Sequence, residues 1–379
     1  MALLQQLEDP SALQPKGFAL FALGFRPFYL LASIFAALSV PLWALQFAGL
    51  LPRPYLSGVV WHAHEMLFGF TLAVIVGFLL TAGRNWTNLP TPTGAKLCAL
   101  VALWLLARVL VLTPYALAAA VANVAFPLAA AAGLAVPFFQ ARNRRNYFFV
   151  ALLVLLAAVA ALFHLTALGA LAMPPWAGLQ IALDTVLFIV VVMGGRVIPM
   201  FTNNGVPGAS AAKRPWIEKV ALGSVLVLLL ADAFGLQGWP VAAVAAVACV
   251  AHLCRWLLWQ PWKTLGTPLV WVLHLAYVWV PIHLLLHTFS AFGWVSPSLS
   301  VHALTVGAAG GPHDRHDDPD RQGPYRAPAA SQPGGHGSLC AGAAGCGGAC
   351  GPAAHCPQPD AALCGPHGFD DPAADPRQL

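Results

Sequence analysis

Tyr147-Phe-Phe-Val-Ala-Leu-Leu-Val-Leu-Leu-Ala-Ala-Val-Ala-Ala-Leu-Phe-His-Leu-Thr166 decides the fold class. It contains no Lys, Arg, Asp or Glu, and it follows a basic turn holding Arg142, Arg144 and Arg145. About 20 apolar residues are what a helix needs to cross the hydrocarbon core of a bilayer. Similar runs begin near Phe28, Val59, Lys96, Tyr115, Trp176, Trp216, Trp239 and Pro268, and one more begins near Ser298 and stops at Gly311. The expected architecture is therefore all-α: a polytopic transmembrane bundle of nine full spans and a truncated tenth. The whole-chain composition agrees, since 59% of the 379 residues are hydrophobic and 9% are charged, against roughly 25% charged in soluble domains. A net charge of +5 spread thinly along apolar helices excludes nucleic acid as a partner. The first run follows acidic Glu8 and Asp9 and precedes eight more spans, which argues for a retained helix rather than a cleaved signal.

Charge alternates between the loops. Those after the second, fourth, sixth and eighth runs hold Arg84 and Lys96, then Arg142, Arg144 and Arg145, then Lys213 and Arg214, then Arg255 and Lys263; the odd loops hold Arg53. By the positive-inside tendency the even loops and the N-terminus, with Lys16 and Arg26, are cytoplasmic, and a bacterial inner membrane is the simplest setting. Three segments result: residues 1–17 as a cytoplasmic N-terminal segment, 18–311 as the membrane domain, and 312–379 as a tail.

The tail has its own composition. From Pro312 onward Val, Ile, Met, Thr, Trp, Lys, Asn and Glu are all missing, and Gly, Pro, Ala, Cys, Arg, His and Asp dominate. The missing residues have mostly AT-rich codons, so the segment reads as GC-rich DNA translated out of frame, and it is expected to be disordered. Regrouping the degenerate codons of His313 to Ala329 permits M-I-G-M-M-T-R-T-A-R-G-H-T-G-R-P, which would complete the tenth helix. Cys340, Cys346, Cys350, Cys356 and Cys364 match neither a zinc pair nor a ferredoxin run.

Ionisable groups inside a bilayer cost about 2.5–3.5 kcal/mol each on insertion scales, so they persist where they face protein, water or a cofactor. The topology puts His62, His64, Glu65, His164, His283, His287 and His302 in the outer half of the membrane, and His252 and His274 in the inner half. Each histidine could simply be hydrogen-bonded within the bundle. The groupings nevertheless favour ligation. His283 and His287 are four apart and share a helix face. His62, Glu65 and Met66 offer imidazole, carboxylate and thioether on one face, and sulfur with imidazole suits copper, whereas single imidazoles on two helices suit haem iron. His64 points nearly opposite to His62. Gly194 and Gly195 before Arg196 and Pro199 read as a helix end capped by Thr202, Asn203 and Asn204. Hydrolase, Walker and dinucleotide motifs are missing from the sequence.

Five blocks carry a resemblance: F-A-L-G-F-R-P-F (21–28), W-H-A-H-E-M-L-F-G (61–69), G-F-L-L-T-A (77–82), G-G-R-V-I-P-M-F-T-N-N-G (194–205) and H-A-L-T-V-G-A (302–308). Together they resemble the bacterial NnrS family of polytopic membrane proteins. The resemblance implies haem and copper as cofactors and a role in the nitric oxide response and protection from nitrosative stress, with nitric oxide or its iron adducts as partners beside the lipid bilayer. It makes His62, His64, His283, His287, His302 and Arg196 the cofactor-binding candidates, and His62, Glu65, Met66, His283 and His287 the metal candidates. The alternatives are a haem-dependent nitric oxide or quinol oxidoreductase, for which Asp184 and Asp232 are the deep acids, and a membrane transporter. The family continues past H-A-L-T into H-T-G-R and further helices, which the regrouped tail partly recovers.

Overall fold

The structure, a computed structural model, describes residues 19–51 and 54–308. Arg53, Lys16 and the tail lie outside the described residues, as do the expectations attached to them. Within the described residues the regular structure is helical throughout. Helix α1 spans Phe25–Phe47; α2 spans Gly58–Thr87; α3, Gly94–Leu110; α4, Ala116–Gln140; α5, Tyr147–Ala167; α6, Pro175–Gly205; α7, Pro215–Ala233; α8, Trp239–Leu258; α9, Pro268–Ala291; and α10, Pro297–His302. Every apolar run read from the sequence has become a helix. Seven stretches are both long and apolar enough to cross a membrane: α1, α2, α4, α5, α6, α8 and α9. Helices α3 and α7 are not among these seven.

Local chemistry explains most boundaries. Proline opens α7, α9 and α10, where its missing N–H is one the first turn would leave unpaired anyway. Asn88 ends α2 in the left-handed conformation, with its N–H on the carbonyl of Arg84. Pro41, Pro127, Pro137 and Pro281 stay inside continuous helices. Two stretches widen into π-helix, Glu65–Thr71 within α2 and Ala303–Ala308 directly after α10, and each begins one residue after a histidine, His64 or His302.

Sequential helices pack as antiparallel neighbours. Helix α2 also meets α4, α9 meets α6, and the π-segment of α2 touches both α1 and α6. Large apolar side chains such as Leu30, Ile34, Leu38, Val121, Phe139, Val154, Val227 and Val250 remain exposed on the outside, while Trp61, Trp104, Trp259, Phe126 and Phe163 are fully buried. Apolar inside and out, with helices of membrane length, is the pattern of a multi-pass membrane protein.

The largest departure from the sequence reading is at Gly194–Pro199. The stretch is no helix end: α6 runs on for 31 residues to Gly205, about 46 Å at 1.5 Å per residue, which outruns a hydrocarbon core of about 30 Å. Thr202 donates its hydroxyl to the Ile198 carbonyl within the helix (2.8 Å). Asn203 pins the returning loop, accepting from the Ala211 N–H (2.6 Å) and donating to the Ala211 carbonyl (3.2 Å).

Gly195 serves a different purpose. Arg255, read from the sequence as a loop residue, lies inside α8 and is 2% exposed. Its guanidinium donates to both carboxylate oxygens of Glu218 (2.9 and 2.6 Å), to the Val191 carbonyl (2.8 Å) and to the Tyr277 hydroxyl (2.9 Å), and it lies against the Trp259 ring at 5.1 Å. A Cβ on residue 195 would stand 1.7 Å from its Nη2. Only hydrogen fits there. Gly195→Ala should therefore destabilise the protein by about 1–3 kcal/mol through overpacking, read as a lower melting temperature in detergent. Gly223→Ala, on α7 with nothing within 4 Å of the new Cβ, should be neutral or add up to about 1 kcal/mol.

Candidate functional site

Polar side chains gather at two ends of the bundle. One end is built by the N-terminal part of α2, the C-terminal parts of α3, α5, α7 and α9, the starts of α4 and α6, and α10. Here the side chains form a connected set. Tyr55, in the loop before α2, is 3.2 Å by its hydroxyl from His164 Nδ1 on α5. His164 Nε2 faces His64 Nε2 at 3.3 Å. His64 Nδ1 is 2.8 Å from Glu65 Oε1, which also accepts from Arg108 Nη1 on α3 at 2.5 Å. The other nitrogen of that guanidinium bonds Asn123 on α4. His64 and Glu65 are fully buried, and His164 is 1% exposed. Burial pushes the Tyr55 phenol up to about 12, so it keeps its proton at physiological pH.

Gly69 makes this possible in the way Gly195 does for Arg255. A Cβ there would lie 2.7 Å from Arg108 Nη1, and the Gly69 carbonyl accepts from Trp104 Nε1 at 3.1 Å. Arg108 escaped the sequence reading because it sits in the apolar L-A-R-V-L run of α3; a lone guanidinium in such a run is itself the signal that a buried carboxylate must be near.

His62 leaves α2 on another side, as the two-residue offset from His64 requires. Its ring stacks on Trp43 of α1 at 4.2 Å and 8°, and its Nδ1 is buried without a partner among the described residues. His62 lies within electrostatic reach of His302, whose Nδ1 donates to the Ser298 carbonyl at 2.7 Å. Met66 is half-buried against the core. The turn from His62 to Met66 therefore divides its donors: Glu65 goes inward to His64 and Arg108, away from the imidazole it was grouped with.

The third part lies on α9. His283 is fully buried; its Nδ1 donates to the Ser300 carbonyl (2.8 Å) beside the Ser300 hydroxyl (3.0 Å), and its Nε2 has no partner among the described residues. His287 is its neighbour, with ring centroids 5.9 Å apart, and stands within electrostatic reach of Asp232. Gln180 Nε2 donates to both Asp184 and Asp232, each at 3.2 Å, and Asp184 keeps one buried oxygen without a partner among the described residues.

The opposite end is separate. Arg196 donates to Asn146 (2.6 Å) and lies 5.4–5.8 Å from the Trp86, Phe148 and Phe149 rings. His274 bonds Thr202 (2.9 Å), and His252 is held by Tyr277 (2.7 Å) and the Ala221 carbonyl. Nearby Lys213 has its pKa lowered, first by burial and then by Arg255, Arg145 and Arg196, against the opposing pull of Glu218. Arg196 thus sits at the other end of the bundle from His62, His64, His283, His287 and His302, with which the sequence grouped it.

Among the described residues no three His, Cys, Asp or Glu side chains converge as a metal cluster. The fit to a metal-bearing cofactor rests on single donors. His283 fits: with Nδ1–H fixed on a carbonyl, the lone pair of Nε2 is the one left free, the orientation that metal-ligating imidazoles use. His62 Nδ1 is a second free buried nitrogen, on another helix.

Removing Arg108 alone should leave the Glu65 carboxylate uncompensated in the interior. Arg108→Met is expected to cost about 3–5 kcal/mol, and the Arg108→Met, Glu65→Gln double variant should recover part of that loss. Thermal unfolding of the purified variants in detergent checks both.

The family model described as NnrS protein matches residues 19–312, and so includes every helix and all five motif blocks. No curated protein and no solved structure matches the chain. With a match over that length, the chain belongs to the NnrS family.

Proposed function

We propose that this protein is a haem- and copper-binding protein of the bacterial inner membrane that acts in the nitric oxide response and in protection from nitrosative stress. The observation that carries the reading is the His283 imidazole, buried and tautomerically fixed by Ser300, with Nε2 left without a partner among the described residues. A buried polar atom without a partner costs about 1–3 kcal/mol, and a ligand to that nitrogen would offset the cost. Family membership supports the same cofactors. The outer histidines His62, His64, His283, His287 and His302 form the proposed cofactor region, with His283 holding haem iron and His62 offering nitrogen from α2. Haem iron bound there supplies a coordination position for nitric oxide. Ser300 keeps the His283 tautomer, Trp43 holds the plane of His62, and the apolar bundle excludes water. Arg196, among its three aromatic rings, keeps a positioning role at the inner end.

The proposed topology has nine spans, α3 and α7 included, with the N-terminus cytoplasmic. Each of these two helices supplies one partner of an ion pair whose guanidinium is buried, Arg108 from α3 and Glu218 from α7, which supports counting them with the others. A reporter inserted between Arg142 and Arg145 should behave as cytoplasmic; an external signal would reverse the orientation. The oxidoreductase reading gains one observation, since Asp232, joined to Asp184 through Gln180, stands within electrostatic reach of His287.

The test is the optical spectrum of the purified full chain. A Soret band is expected in the parent protein, with haem content reduced at least about tenfold in His283→Ala and less in Ser300→Ala, as loss of a ligand and of its orienting partner respectively. A parent protein without a Soret band refutes the haem assignment; a His283→Ala variant that keeps full haem moves the ligand elsewhere.

A further inference from the structure

The acids among the described residues are Glu65, Asp184, Glu218 and Asp232. Glu65 is paired with Arg108, and Glu218 gives both its oxygens to Arg255. Asp184 and Asp232 are held by Gln180, and Asp232 closes α7, the helix before whose start Lys213 stands. No carboxylate among the described residues is therefore left for Arg196, Arg145 and Lys213, which lie within electrostatic reach of one another. Like charges gathered beside an apolar bundle repel more strongly than they would in water, so this group of cations favours an anion from outside the chain.

Arg255 shows what such a guanidinium takes. Its Nε and Nη2 donate side by side to the two oxygens of Glu218, at 2.9 and 2.6 Å. In Arg196 the Nη1 donor goes to Asn146 at 2.6 Å, while Nε and Nη2, the corresponding edge, have no partner among the described residues. The side chain is only partly buried, so that edge can be approached. The Trp86, Phe148 and Phe149 rings at 5.4–5.8 Å hold the guanidinium in place, and Trp86 and Phe149 are themselves stacked at 5.4 Å and 18°. A fixed two-donor edge matches a pair of oxygens on one anion, and phosphate has both the oxygens and the charge that several cations demand. We propose that the open edge of Arg196, flanked by Arg145 and Lys213, binds one phosphate group, carried by an anionic phospholipid headgroup or free in solution.

The level of the site in the bundle suits a headgroup. Arg145 lies in the turn before α5 and Lys213 in the loop before α7, so Arg196 stands where helices begin and lipid phosphates are at hand. Basic pockets between membrane helices are where anionic headgroups bind. Asn146, which touches Arg196, is also the N-cap residue of α5, and it makes no side-chain cap there. The first N–H groups of α5 thus add their positive potential to that of the cations.

This inference does not rest on haem or copper. The experiment is thermal unfolding of the delipidated full chain in a non-ionic detergent at fixed ionic strength, titrated separately with dihexanoylphosphatidylglycerol, dihexanoylphosphatidylcholine and inorganic phosphate. Saturable stabilisation by the phosphatidylglycerol is expected at a concentration at least about tenfold below that for the phosphatidylcholine, whose choline brings positive charge to the cations. Arg196→Lys keeps the charge and loses the two-donor edge, and it should weaken binding about tenfold. Arg145→Ala and Lys213→Ala should each weaken it about fivefold, the worth of one cation near a charged surface. Both of these side chains are exposed, so their variants decide the matter if Arg196→Lys does not fold. Stabilisation by the phosphatidylglycerol identifies a headgroup, and stabilisation by phosphate alone identifies the free ion; either upholds the site when the variants weaken it. No response to phosphatidylglycerol or phosphate, an equal saturable response to both lipids, or parental affinity in every variant that folds overturns it.

Discussion

Two buried guanidiniums govern much of what this bundle can be. Arg108 and Arg255 each lie against a glycine on a neighbouring helix and each meets one carboxylate, Glu65 or Glu218. Outside water, an isolated charge of this kind is intolerable, so the four residues act as two obligate couples. One couple joins α2 to α3 and the other joins α7 to α8. Both demand glycine because the guanidinium plane takes the space where a side chain would begin. The couples also divide the polar chemistry: the Glu65 couple continues into His64 and His164, and the Glu218 couple continues into Tyr277 and His252.

The motif blocks thereby acquire separate meanings. W-H-A-H-E-M-L-F-G contains a buried histidine, its carboxylate partner and the glycine that admits Arg108. G-G-R-V-I-P-M-F-T-N-N-G contains the glycine that admits Arg255, a cation set among aromatic rings and the asparagine that fastens the next loop. In G-F-L-L-T-A, Thr81 accepts the backbone N–H of Phe25 at 3.0 Å and so ties this block to F-A-L-G-F-R-P-F. That link is structural: it fixes α1 on α2 and with it the position of Trp43 under His62.

The helices were legible because a 20-residue apolar run has few other fates, and their order along the chain followed directly. Partner choice was not. Glu65 and Arg108 are 43 positions apart, and no local spacing rule couples them. His164 shared only a depth with the other histidines in the sequence, and it is the packing of α5 on the bundle that sets it against His64. Glycine and proline usually punctuate helices, but in α6 Gly195 answers a contact from Arg255 and Pro199 is accommodated inside a continuous helix, so local residue type alone misplaces the end of α6. His62, Glu65 and Met66 were grouped by α-helical spacing, but the backbone changes its turn at Glu65.

That change of turn has a consequence for sequence variation. A π-segment holds one more residue per turn than the helix on either side, so α2 carries surplus backbone at the point where the histidine block meets the G-F-L-L-T-A block. Deleting a single residue between Glu65 and Thr71 would let the helix become regular while leaving the parts before and after it close to their present phase, because the residue lost is the one the π-turn holds in excess. A deletion in the regular turns that follow has no such slack and would rotate His64 by about 100° relative to the face that packs on α1. The π-segment is thus the one place in this helix where a residue can be lost with the histidine block and the packing block both keeping their directions.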